Sequence, residues 1–120
     1  MKKTILLFAL LIFITITSCG GNNCKELPIS FSNYNKAQEI VLSSSFKLTD
    51  VADVSGSSWI TSAKYYSCDG LLGFLVIKTG NRTYVHQDMP IEVWESCKKA
   101  DSKGSFYSRN IRGNYRLKLD

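Results

Sequence analysis

The chain has a single histidine, His86, in 120 residues, and its four cysteines show no Cys-x-x-Cys or Cys/His spacing. Structural zinc needs four closely organised nitrogen or sulfur ligands, so no metal site is expected. Equally absent is any arrangement of Ser, His and Asp, of paired carboxylates, or of Cys and His that spacing would mark as catalytic, and no cofactor is implied. No apolar run reaches the roughly 20 residues needed to cross a bilayer core. There is no internal repeat and no low-complexity tract beyond a Gly/Asn stretch at 20–23. The formal charge of +5 is too small to name a partner class by itself.

What is present begins at the N-terminus. Lys2 and Lys3 precede an apolar run from Ile5 to Ile16 broken only by Thr15, and the small residues Thr17 and Ser18 lead into Cys19. That is the layout of a secretory leader. The order Ile16, Thr17, Ser18, Cys19, Gly20 resembles a bacterial lipobox, whose cysteine is lipidated as the leader is cut; an ordinary cleaved signal and an uncleaved anchor are the alternatives. The resemblance implies that residues 1–18 are removed, that Cys19 carries acyl groups, and that residues 19–30 form a flexible tether to a membrane of the bacterial envelope, inner or outer. About 100 residues would then remain, enough for one domain with one modest core. They carry thirteen basic and ten acidic side chains, a net +3.

Three further cysteines, Cys24, Cys68 and Cys97, form an odd set that cannot pair completely in an oxidising compartment. Cys97 is expected in the core. Cys24 and Cys68 are expected to be free, with pairing to each other the less favoured alternative.

Periodicity gives the elements. Ser32 or Asn33 can cap a short amphipathic helix from about Asn33 to Leu42, with Tyr34, Ala37, Ile40 and Val41 on its apolar side. The stretch Phe46–Val54 reads as a strand, an arm or an irregular segment. From Trp59 three strands joined by short turns form an antiparallel meander: "SWITSAKYY", "LLGFLVIK" and "TYVHQ". The middle strand is apolar on both faces, with Leu75 and Ile77 on one and Phe74 and Val76 on the other, so it needs cover on each. One cover is a helix starting at Met89 or Pro90 with Ile91, Trp94 and Cys97 inward. The other is the N-terminal helix. A second helix, from Ser102 to Asn110 and capped by Ser102, returns Phe106, Tyr107 and Ile111 to the core. Beyond Gly113 a closing extended segment puts Tyr115, Leu117 and Leu119 on one side.

Within residues 57–116 stand the strings "SSWITSAKYY", "TYVHQDMP" and, the most specific, "VWESCKKADSKGSFYSRNIRGNY". They resemble the KTSC domain, a module found at the C-terminus of some lysyl-tRNA synthetases and as stand-alone bacterial proteins. The resemblance implies a β-meander followed by helices and brings no established activity, RNA binding being the suggestion attached to the family. The family's central Tyr-x-Tyr reads Tyr84, Val85, His86 here, so the second tyrosine's role is not carried over.

Charge is uneven along the chain. Residues 97–120 hold seven basic and two acidic side chains, a local +5, whereas residues 20–96 hold six and eight, a net −2. The basic end is interleaved with Phe106, Tyr107 and Tyr115, which can stack on bases beside phosphate-binding arginines. The plainer reading is an amphipathic helix and strand with solvated charges outside and aromatics inside. Ser102, Lys103, Gly104 and Ser105 can likewise be read as a phosphate-binding helix start or as a simple capped one, and the capped start is preferred because no Walker glycine or strand precedes it. The candidate binding residues are Tyr84, His86, Lys103, Arg109, Arg112, Tyr115 and Arg116.

The expected architecture is α+β: a three-stranded antiparallel meander packed with a C-terminal helix pair (residues 57–120), plus an N-terminal helical extension (31–56). The expected function is a non-enzymatic, membrane-tethered binding module whose partner is a protein or envelope component. Nucleic acid is the alternative partner, disfavoured by export, and a small envelope enzyme using His86 and Tyr84 is the third reading.

Overall fold

The computed structural model describes residues 24–120. The leader, Cys19 and the tether residues 20–23 lie outside the described residues. A 3-10 turn at Cys24–Glu26 leads to helix α1, Tyr34–Ser43. Asn33 caps α1 as expected, its side chain accepting the Lys36 N–H at 2.8 Å. Ala37 and Val41 are its buried residues.

Four strands follow: β1 Leu48–Val51, β2 Ile60–Ser67, β3 Leu72–Thr79 and β4 Arg82–Pro90, antiparallel in the order β1-β2-β3-β4. The meander is as read from the sequence. The three-strand expectation is corrected by β1, which pairs with β2 from Leu48↔Ser67 to Val51↔Lys64. Part of what holds this short edge strand is a distant contact: Asp50 accepts hydrogen bonds from the Trp94 indole N–H at 2.8 Å and from the Lys98 ammonium at 2.6 Å.

The helix after β4 also starts later than expected. Met89 and Pro90 finish β4, Pro90 has an extended ψ of 146°, and α2 spans Ile91–Lys99. Proline has no N–H to contribute, and the next one, Ile91 N–H, donates to the Leu71 carbonyl. A short α3, Lys103–Phe106, is capped by Ser102 as read and runs into a π-helical turn, Tyr107–Ile111. Gly104 is required here by close approach, since a Cβ at this position would overlap the Trp59 indole.

The two faces of β3 meet different cores. Leu75 and Ile77 join Tyr65, Met89, Trp94, Cys97, Tyr107 and Ile111 on one face, while Val76 joins Val41 and Val85 on the other, with Phe74 packed at its margin. Tyr65 stacks on Trp94 with ring centroids 5.5 Å apart. α1 supplies Val41 to the second face, as expected of the extension.

The tail differs from its reading. Tyr115 packs against the larger core and Leu117 against the smaller, so the two do not share a side. The tail passes along the β4 edge: Gln87 N–H donates to the Tyr115 carbonyl, and the Gln87 side chain donates to the Ile29 carbonyl and accepts the Lys118 N–H. Gln87 is buried because it stitches three segments together. Cys97 is free and buried, whereas Cys24 and Cys68 form a disulfide, with Cα atoms 5.4 Å apart. The free-thiol expectation for that pair is thereby corrected; backbone turns far apart in sequence bring them together, and spacing alone does not reveal this.

Candidate binding site

Alternation along β4 sends Tyr84 and His86 to one side and Val85 to the other. Opposite them the π-helical turn presents Tyr107. Its wide hydrogen bond, from Arg112 N–H to the Tyr107 carbonyl at 2.9 Å, sets Arg112 at its end. α1 adds Tyr34, whose hydroxyl donates to the Val85 carbonyl at 3.3 Å, and the tail adds Gly113, Arg116 and Leu117. Together these residues line a half-open hollow of about 360 Å³.

Its floor is fixed by His86, which is buried. The Nδ1 atom lies 3.1 Å from the Tyr115 carbonyl, an acceptor only, so Nδ1 carries the proton. Nε2 then accepts from the Tyr107 hydroxyl at 2.8 Å. Burial pushes the His86 pKa below its ordinary value, partly offset by the bond to Tyr115. Burial also holds the Tyr107 hydroxyl neutral, its pKa pushed up to about 12. The imidazole is thus a neutral strut between strand, π-helical turn and tail.

The rim differs from the floor. Tyr34 is partly exposed, Tyr84 is half-buried, and burial raises the Tyr34 pKa. Arg112 and Arg116 are exposed, and among the described residues neither guanidinium is ion-paired. No carboxylate lines the hollow. Aromatic walls and two uncommitted guanidiniums make a site complementary to an anionic group attached to a flat or apolar body.

Four of the sequence-derived candidates, Tyr84, His86, Arg112 and Arg116, therefore come together. The other three do not join them. Lys103 lines a polar recess of about 170 Å³ with Asp53, Trp59 and Asp101. Tyr115 lines another hollow with Glu92, Val93 and Phe106, and Arg109 lines none of these three. The Ser102–Ser105 segment is a capped helix start, with Ser102 Oγ accepting the Ser105 N–H at 3.2 Å. Tyr34 and Tyr107 complete the hollow and were absent from the candidate set. Tyr107 stood within the family-like string, but nothing local to Tyr34 announces that α1 would cross to β4.

Among the described residues no group of three His, Cys, Asp or Glu could hold a metal ion. The family model described as the KTSC domain matches residues 56–115, half of the chain. No curated protein and no solved structure matches it.

Proposed function

The chain belongs to the KTSC domain family, and on that premise we propose that it is a non-enzymatic binding module, held at a bacterial envelope membrane by a lipid on Cys19, that captures an acidic segment of a protein or envelope component. The observation that carries this reading is the hollow of Tyr34, Tyr84 and Tyr107 beside Arg112 and Arg116, which has aromatic surface and positive charge but no lining carboxylate. Support for the non-enzymatic part comes from His86: both ring nitrogens are engaged within the protein, which leaves neither free to move a substrate proton.

The test is photocrosslinking in intact cells from a benzophenone side chain at position 34, on the rim, in the otherwise native full-length chain. The expected result is a discrete adduct that disappears when Arg112→Ala and Arg116→Ala are combined, with the thermal melt unchanged because both arginines are exposed. The same adduct at the same yield in the double variant would contradict the assignment.

The same aromatic and guanidinium groups favour single-stranded nucleic acid as the second reading. Binding of an oligoribonucleotide that weakens steeply between 50 and 200 mM salt and is lost in the double variant would favour it over a protein partner. No binding at low salt removes it.

A further inference from the structure

Resting on the lipid-anchored reading, we propose that the β2–β3 turn is a membrane-docking tip, with Leu71 and Leu72 entering the interfacial layer of the bilayer that holds the Cys19 lipid. Three independent features meet at this turn. The first is connectivity. The Cys24–Cys68 disulfide fixes the start of the described chain to the turn, with Cα atoms 5.4 Å apart. Cys19 lies five residues before Cys24, a leash of at most about 18 Å when fully extended. A lipid on Cys19 therefore keeps this turn within about 24 Å of the bilayer surface, whatever the rest of the domain does.

The second feature is surface chemistry. Leu71 is 64% exposed and Leu72 46%, side by side where the connection from β2 enters β3. The opposite end of β3 is unlike this. The β3–β4 turn is made of exposed Gly80 and Asn81, flanked by exposed Lys78 and Arg82. The two ends of the hairpin thus differ in polarity, and the apolar one carries the anchor point.

The third feature is the turn's backbone. An apolar tip enters lipid readily only if its polar backbone groups are satisfied from within. Gly70 N–H donates to Ser67 Oγ at 2.9 Å, and Leu71 and Leu72 N–H donate to one Asp69 oxygen at 2.8 and 3.1 Å. The Leu72 carbonyl accepts from the Ser67 hydroxyl at 2.6 Å, and the Leu71 carbonyl accepts from Ile91 N–H. The Asp69 carboxylate, exposed and held below its ordinary range by the Leu71 and Leu72 N–H groups, caps the turn and stays ionised, so it belongs at the headgroup level while the leucines enter beside it.

Docking by this tip leaves the Tyr84 side of the binding hollow accessible. Tyr84 pairs with Ile77, five residues along β3 from Leu72, or about 17 Å at strand rise. Tyr84, at that edge of the hollow, then sits clear of the headgroups.

The test uses the full-length acylated protein and vesicles of phosphatidylcholine, with or without bromine on the acyl chains. Three proteins are compared: the native chain, which has tryptophans only at 59 and 94, and the exposed-site variants Leu71→Trp and Asn81→Trp. All three should float with the vesicles. Leu71→Trp should then show at least twofold more bromine quenching than the native chain, undiminished in 1 M NaCl because the contact is apolar, and Asn81→Trp should show no increment. Flotation without extra quenching at position 71 overturns the docking tip while sparing the anchor. Equal increments at 71 and 81 overturn it too, since the domain then has no preferred orientation. A doubled mass with no increment at 71 would mean that a second copy covers the leucines instead. Failure of the native chain to float removes the anchor reading and this inference with it.

Discussion

The two faces of the sheet are covered by unequal material. On one, α2, α3 and the π-helical turn bury Trp94, Cys97, Tyr107 and Ile111 against Tyr65, Leu75 and Ile77, nearly all within the family-matched residues 56–115. On the other, Val76 and Val85 are sealed mainly by Val41 from α1, which precedes the matched segment. The matched residues thus make most of one core, to which Leu48, Ala52 and Val54 of the extension add, and leave much of the second face of the sheet to segments outside the match. The binding hollow lies where the two covers meet at β4, taking Tyr34 from one and Tyr107 from the other.

The sharpest break of this contrast is on the larger side. Trp94→Ala removes a fully buried indole, its stack on Tyr65 and the donor to Asp50. A loss of about 3–5 kcal/mol is expected in urea unfolding. Removing the covalent tie of the extension comes next. Cys24→Ser combined with Cys68→Ser opens a loop with a sequence separation of 44 and should cost about 2–4 kcal/mol in the same measurement under oxidising conditions. On the smaller face, Val41→Ala should cost about 2 kcal/mol, from lost methyl burial and a small cavity. A loss equal to that of Trp94→Ala would erase the distinction between the faces. Gly104→Ala should cost roughly 1–3 kcal/mol, because the added methyl must displace the Trp59 indole.

The smallest expected effect is a pH dependence. His86 has a folded pKa below its ordinary 6.5, so the unfolded chain takes up the proton first as pH falls. Its contribution is fully present above pH 6.5 and is lost as pH drops below that value towards the folded pKa. The urea midpoint should fall between pH 7 and pH 5.5, and His86→Gln should flatten that slope. Asp50 acts in a separate window, since its pKa is lowered first by Lys98 and then by Trp94, and its contribution fades only below about pH 4.

Much of this architecture was legible in the residues. The doubly apolar pattern of Phe74–Ile77 demanded cover on both sides, and Asn33 and Ser102 marked the helix starts that are found. What escaped was set by distant partners. β1 has only four residues, too few for a decisive alternation, and depends on Asp50 reaching Trp94 and Lys98 in α2. The tail's alternation placed Tyr115, Leu117 and Leu119 on one side, but its passage along the β4 edge splits Tyr115 from Leu117 and leaves Leu119 exposed. Tyr84, His86, Arg112 and Arg116 could be selected by chemistry, whereas their closure by Tyr34 depends on where α1 packs. The disulfide was invisible for the same reason.

The function proposed here depends first on where the chain is held, and intact-mass spectrometry of the protein extracted from bacterial membranes tests that most directly. The predicted species begins at Cys19 and bears acyl groups, with one internal disulfide. A chain that begins at Cys19 with an unmodified thiol, or one that retains residues 1–18 and is recovered from the cytosol, would contradict the membrane-held module.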